Sequence, residues 1–223
     1  MDYSILEKSS LFRGIPAHEI SNDLEKIFYR IVRCDKGRLI FRPMESATRI
    51  AVILEGRVEV QKLLTNGTKV NVSSFGAGEI IGAAAVFSRN RKYPCGIAAL
   101  EPVTLMILQK EDLLKLMQKD IRIMENFATE IASAAYMLQQ RLELFSYSGI
   151  AQKAAFWLLM QSKQSGKTKI LIPGSVSKWA MLMNVSRSSL HRELKRLEEQ
   201  SLISYAPPVI GILNSAGLQK VLG

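Results

Sequence analysis

The stretch from Ser175 to Ile203, SVSKWAMLMNVSRSSLHRELKRLEEQSLI, limits what this chain can fold into more than any other. In its second half Val185, Leu190, Leu194 and Leu197 recur at spacings of five, four and three, one apolar stripe of an α-helix. Arg187, Ser188, His191, Arg192 and Lys195 fall on the opposite face. Ser186 is placed to cap that helix, and the residues after it put polar side chains where a helix N-terminus meets a base edge or a phosphate. Upstream, Trp179, Ala180, Leu182 and Met183 make a shorter amphipathic segment, and Asn184 can take the left-handed conformation that ends it. Two short helices across so tight a turn predict a helix-turn-helix. The same spacing also fits a surface hairpin of two helices whose outer face is merely solvated.

Charge separates these readings. The net charge of +10 points towards polyanions only if it is localised. Residues 1–146 hold 20 Lys and Arg against 17 acids, whereas residues 147–223 hold ten against three. The excess therefore gathers around the helix pair, as double-stranded DNA binding requires.

The rest of the chain changes grammar twice. Residues 1–30 read as short helices, with Ile5, Leu6, Leu11 and Phe12, then Ile20, Leu24, Ile27 and Phe28, at helical spacing. From Arg33 to Leu108, short β-branched runs (LIFR, RIAVIL, RVEVQKLL, KVNVSSF, VTLMIL) are cut by Gly37, Gly56, Asn66-Gly67, Gly76, Gly78 and Gly82. Asn66-Gly67 is the strongest hairpin signal, and the whole predicts an antiparallel roll of jelly-roll type. Then Ile121, Met124, Ala128, Ile131, Ala135, Leu138, Leu142 and Phe145 repeat at spacings of three and four, a heptad seam of about 25 residues. Such a seam needs a partner, and the same helix of a second copy supplies one. A second apolar set, Ile123, Phe127, Ala134, Met137 and Leu144, is free to pack on the roll. Tyr147-Ser148-Gly149 breaks the helix. SLISYAPPVIGILN then reads as a hairpin turning at Pro207-Pro208, which completes a winged helix, and Ser215 is placed to cap a closing helix. The fold class expected is α+β, with a sensing roll over 1–118, a dimerisation helix over 119–146 and a winged helix-turn-helix over 147–223.

Several classes are set aside. No apolar run approaches the roughly 20 residues of a membrane span, and MDYSILEKSS has neither a basic nor an apolar leader region, so a cytoplasmic protein with no membrane partner is expected. Cys34 and Cys95 are too few and too far apart for a disulfide framework or a conventional zinc or iron-sulfur ligand set, and read as buried, inert thiols ahead of the alternatives of a redox-sensitive thiol or a haem ligand. No H-E-x-x-H, P-loop or G-x-S-x-G is present, so no enzyme is expected.

NVSRSSLHRELKRLEEQSLI resembles the recognition helix of the CRP/FNR family of bacterial transcription regulators, whose usual form is G-V-S-R-E-T-V-x-R-x-L-x-x-L-E-x-x-G-L-I. The opening LFRGIPAHEI and the order G-R-L-I-F, I-x-x-I-L-x-G-x-V-x-V, N-G, G-x-G-E-I-I-G resemble the same family's N-terminal part and its cyclic-nucleotide-binding roll. The resemblance implies that Arg187 and Arg192 match the two arginines that reach guanines in the major groove, and that Ser189 matches a phosphate-contacting Thr. Ser188 stands where the family has Glu, and His191 where relatives carry Gly or Ser, so the half-site should be a departure from the family's GTGA-like or TTGAT-like sequences. Ser177, Lys178 and Lys195 are candidates for backbone phosphates, and Ser186 for the helix entrance.

In the family's effector cassette a Glu holds the ribose and an Arg the phosphate. Aligned on GEIIG and Phe87, that Glu falls on Ala83, the Arg on Tyr93 and the following Ser on Pro94. Cyclic AMP is therefore not expected to bind in the usual way, and any pocket in the cassette would be lined by Gly82, Ala83, Ala84, Ala85, Tyr93, Pro94 and Cys95. The implied function is a homodimer reading an inverted-repeat operator under an unidentified small-molecule effector, with RNA polymerase a partner if it activates. The alternative is a cyclic-nucleotide-like module controlling a partner protein without touching DNA, which leaves the basic RSSLHR face unexplained.

Overall fold

The computed structural model describes residues 4–63 and 69–223, and the Asn66-Gly67 turn lies outside them. The chain divides into two compact units, residues 1–134 and 135–223.

In the first unit two antiparallel four-stranded sheets form the roll. One has the order β1 (Tyr29–Cys34), β8 (Val103–Gln109), β3 (Arg49–Glu55), β6 (Ile80–Ile81). The other runs β2 (Leu39–Phe41), β7 (Gly96–Ala99), β4 (Val58–Leu63), β5 (Lys69–Phe75). Ile50 to Leu54 of β3 are all buried, which is why RIAVIL shows no alternation. Beside it β8 pairs Leu108 with Ile50 and Leu105 with Ile53. At the β3–β4 turn Gly56 has φ +82, and a Cβ there would lie 2.4 Å from the Pro102 carbonyl oxygen, so no other residue fits.

The helices of this unit correct part of the sequence reading. The helices α1 (Ser4–Glu7) and α2 (Ala17–Leu24) form, but α2 stops before Ile27, and Phe28 is exposed. Tyr29–Cys34, read to residue 30 as helical, is instead strand β1, where the ladder to β8 outweighs a local helical spacing. After α3 (Ala83–Phe87) and α4 (Lys110–Lys119) comes α5 (Ile121–Ser146). Its first turns are anchored: Ile123 and Phe127 are buried in the core of this unit, and Asn126 Nδ2 donates to the carbonyls of Leu11 (3.1 Å) and Arg13 (2.9 Å). Arg122 bridges Asp120 and Glu19, and the guanidinium holds the Asp120 carboxyl below its ordinary value. Of the second apolar set only Ile123 and Phe127 pack on the roll. Ala134 and Met137 are exposed, and Leu144 is buried in the core of the other unit.

The cassette residues differ in their surroundings. Gly82, at φ +85, precedes α3, and Tyr93 does not line an open pocket: it is 1% exposed and stacks on Phe41 with centroids 4.4 Å apart and planes within 4°. Its Oη donates to the Arg49 carbonyl at 2.5 Å, and burial pushes the phenol pKa up. A Cβ on Gly82 would come within 3.0 Å of the Phe41 ring and 3.3 Å of Tyr93. The glycine is thus retained where the aromatic pair crowds the turn. Ala85 is buried and Cys95 half-buried, while Pro94 and Ala84 are exposed and Ala83 is half-buried.

In the second unit α6 (Ile150–Ser165), α7 (Val176–Leu182), α8 (Arg187–Glu199) and α9 (Ser215–Leu222) surround one core with the sheet β10 (Ile203–Ala206), β11 (Val209–Ile212), β9 (Lys169–Leu171). The β10–β11 hairpin turns at Pro207-Pro208. The cap of α9 is Asn214, whose side chain accepts from the Gly217 N–H at 2.8 Å, rather than Ser215. Among the described residues no helix is long and apolar enough to cross a membrane.

Replacing Tyr93 by Ala should remove about 3 kcal/mol of stability, the range for emptying a buried aromatic site, and urea denaturation measures it. A loss under about 1 kcal/mol would show that the stack does not fill the cassette.

Candidate nucleic-acid interface

Two capping structures, both readable as hydrogen bonds, set the geometry of α7 and α8. Ser175 opens α7 by accepting from the Lys178 N–H at 3.1 Å. The helix closes in a Schellman motif: Val185 N–H bonds to the Ala180 carbonyl (3.0 Å) and Asn184 N–H to the Met181 carbonyl (3.1 Å), with Asn184 at φ +54. Two residues later Ser186 accepts from the Ser189 N–H at 3.0 Å and starts α8. Leu190 and Leu194 are fully buried and Leu197 nearly so, each contributing roughly 2 kcal/mol of burial. They pack with Trp179, Ala180 and Met183 of the preceding segment. Leu182, assigned by its spacing to the apolar face, is partly exposed beside exposed Met181.

With the leucine stripe inward, the opposite face is presented to solvent. Ser186, Arg187, Ser188, His191, Arg192 and Lys195 are all exposed, and Ser189 is half-buried, its hydroxyl accepting from Ser186 Oγ at 2.8 Å. Ser177 and Lys178 are exposed at the start of α7. Among the described residues Arg187 and Lys178 form no ion pair, and Arg192, 77% exposed, has only Glu193 at 4.0 Å. Exposed arginines with little competition from carboxylates are suited to bidentate contacts with base edges or phosphates.

Two of the residues singled out by sequence are engaged. Lys195 Nζ pairs with Glu198 Oε2 at 2.8 Å, which raises the lysine pKa and lowers that of the glutamate. Glu198 Oε1 accepts from the Tyr205 N–H at 2.7 Å. His191 Nδ1 lies 3.0 Å from Tyr205 Oη, and the Lys195 ammonium is 5.5 Å from the Tyr205 ring centre. The wing strand β10 is thus tied to α8 through Tyr205, whose phenol pKa is raised by burial. No sequence pattern signals this partner: alternation along ISYA marks Tyr205 only as an inward residue. Arg196, one turn beyond Arg192, is also exposed.

The heptad positions of α5 divide by exposure. Ile121, Met124, Ala128, Ala135, Leu138, Leu142 and Phe145 are exposed, and Ile131 is half-buried against the core of the first unit. Leu138 and Leu142 are 59% and 63% exposed, a row of large apolar side chains that an isolated soluble chain rarely shows to water.

Comparison with known proteins bears on both units. Residues 31–120 match the family model of the cyclic nucleotide-binding domain, and residues 152–221 that of the Crp-like helix-turn-helix domain. Over 216 residues, covering 97% of this chain and 98% of the relative, the sequence is 22% identical to the cyclic AMP receptor protein of Thermus thermophilus. The crystal structure of the Thermus thermophilus catabolite activator protein shares the fold with a TM-score of 0.53, at 21% identity and 96% and 98% coverage of the two chains. A CooA mutant from Carboxydothermus hydrogenoformans does so with a TM-score of 0.61, at 12% identity and 92% and 90% coverage.

The caps generate a paired expectation. Ser186→Ala should cost about 1 kcal/mol. Ser201, which ends α8 at φ +57, should gain up to about 1 kcal/mol when replaced by Gly. Denaturation midpoints moving in opposite directions would support the two caps, and coincident midpoints would contradict them.

Proposed function

This chain belongs to the CRP/FNR family of transcription regulators, and from that premise we propose that it is a homodimer that reads an inverted-repeat DNA operator through α8. The observation that carries the reading is the exposed face of α8, where Arg187, Ser188, His191 and Arg192 lie open to solvent on a helix whose other side is locked into the core. Arg187 and Arg192 are the base-reading residues, each able to hold a guanine through O6 and N7. Ser186, Ser189, Ser177 and Lys178 contact the phosphate backbone at the entrances of the two helices. Lys195 joins them at the cost of its bond to Glu198. Ser188 and His191 shift the preferred half-site away from that of relatives with Glu and Gly or Ser at those positions. His191 does so from a fixed position, because Tyr205 holds its ring.

Two copies joined along the exposed seam of α5 would present two such helices to half-sites about one DNA turn, roughly 34 Å, apart. A small-molecule effector in the roll controls the dimer by binding one arrangement better than another. It is not cyclic AMP held in the usual way, although a relative carries that name, since Ala83, Tyr93 and Pro94 supply neither the ribose acceptor nor the phosphate cation and Tyr93 fills the space. RNA polymerase is a further partner if the protein activates.

Selection from random duplexes at fixed salt should yield a sequence bound at least about tenfold more tightly than the pool. On that site Arg192→Ala should cost about 1–3 kcal/mol and much less on random DNA. Equal losses on both would make Arg192 a phosphate contact. Leu138→Glu should convert the dimer to monomer in sedimentation velocity, and an unchanged sedimentation coefficient would move the interface elsewhere.

A further inference from the structure

We propose that the first unit carries a binding site for a small organic anion, separate from the cassette, in a cavity of 520 Å³ between β1, β8 and β2. Four arginines line it: Arg30 of β1, Arg38 and Arg42 on either side of β2, and Arg49 at the start of β3. Among the described residues that line it, Glu45 is the single carboxylate.

The topology explains the convergence. The β1–β8 register sets Arg30 opposite Ile107 and Val32 opposite Leu105, while the β3–β8 register sets Arg49 opposite Gln109. Alternation then places Arg30, Val32 and Cys34 on one face of the sheet with Leu105, Ile107 and Gln109. Arg38 and Arg42 reach the same space from the other sheet. Buried Cys34 and Leu105 form an apolar floor, and exposed Arg30, Arg38 and Arg42 form the rim.

Glu45 neutralises only one of these cations. Its Oε1 accepts from Arg49 Nη2 at 3.0 Å, and Arg49 also lies 5.7 Å from the Phe41 ring centre. Arg30, Arg38 and Arg42 form no ion pair among the described residues. Three guanidiniums around one apolar cavity repel each other and raise its potential, an arrangement that folding does not call for and that an anion would relieve. Guanidinium forks match carboxylate and phosphate oxygens, and the floor matches a hydrocarbon or aromatic body. The volume lies within the roughly 300–1,000 Å³ of small-molecule sites. The ligand class is therefore a carboxylate or phosphate carried on a compact apolar frame. Arg49 joins this cavity to the cassette, because its carbonyl accepts the Tyr93 hydroxyl while its guanidinium lines the cavity. That the ligand acts as the effector rests on the regulator reading above, whereas the site itself does not.

Isothermal titration of the full chain without DNA tests it, using octanoate and phenyl phosphate as probes, with octanol and inorganic phosphate as controls. At least one organic anion should saturate one site per chain with a Kd below about 1 mM, and each control should bind at least about tenfold more weakly. Arg38→Ala/Arg42→Ala should weaken that binding about tenfold with an unchanged melting curve, whereas Arg89→Ala/Arg91→Ala, in the cassette loop, should leave it intact. Failure of both anions to saturate, octanol binding as tightly as octanoate, or sensitivity only to the Arg89 and Arg91 changes would overturn the proposal. Operator selection by the same preparation separates the two readings: DNA selectivity without anion binding removes only the cavity site, and anion binding without DNA selectivity removes only the regulator.

Discussion

The left-handed residue Asn184 and the two hydrogen bonds that close α7 around it govern the second unit. An L-residue occupies that conformation at a cost, and Asn tolerates it better than most because its short side chain can bond locally. Once the chain has turned there, Ser186 is positioned to cap α8, and α8 leaves at an angle that buries Leu190, Leu194 and Leu197 with Trp179. The outward aim of Arg187 and Arg192 follows from that burial. A helix that turned elsewhere would have to expose its leucines or bury its arginines, and the second is far more costly than a cap.

The first unit applies different chemistry to a related framework. Gly82 in its left-handed turn leads into the short α3, and Ala83 and Tyr93 put an apolar side chain and a buried ring in the cassette. The Phe41–Tyr93 stack makes this part of the cassette core, which contributes to the stability of the roll. Cationic side chains are instead gathered beside it, around the cavity reached from β1, β2 and β3. The long helix α5 behaves differently along its length: its first turns are fixed to the roll through Ile123, Phe127 and Asn126, whereas Leu138 and Leu142 farther along are exposed.

What the sequence disclosed depended on the range of the interaction. The recognition helix was legible because caps and a 3.6-residue period are local, as were the roll's glycine turns and the heptad spacing of α5. The bond between His191 and Tyr205 joins residues 14 apart on different elements, and no periodicity reports it. Strand β1 was hidden because its ladder partner, β8, lies at the far end of the roll in sequence, so Ile27 and Phe28 looked like a continuing helix. Met137 and Leu144 shared one helical spacing, yet one is exposed and the other buried, because their environments come from different parts of the chain. The residues of the cassette were readable one by one, but not that Tyr93 stacks on Phe41, whose ring lies 52 positions away in sequence. The four arginines of the cavity come from separate positions around three strands and have no common spacing at all.

The most direct test of the central claim is a hydroxyl-radical footprint of the full-length protein on its selected duplex. A homodimer reading DNA through two copies of α8 should protect two equivalent patches on one face of the duplex, related by a twofold axis and about one helical turn apart. A single unpaired patch, or protection that follows no symmetry, would contradict the account.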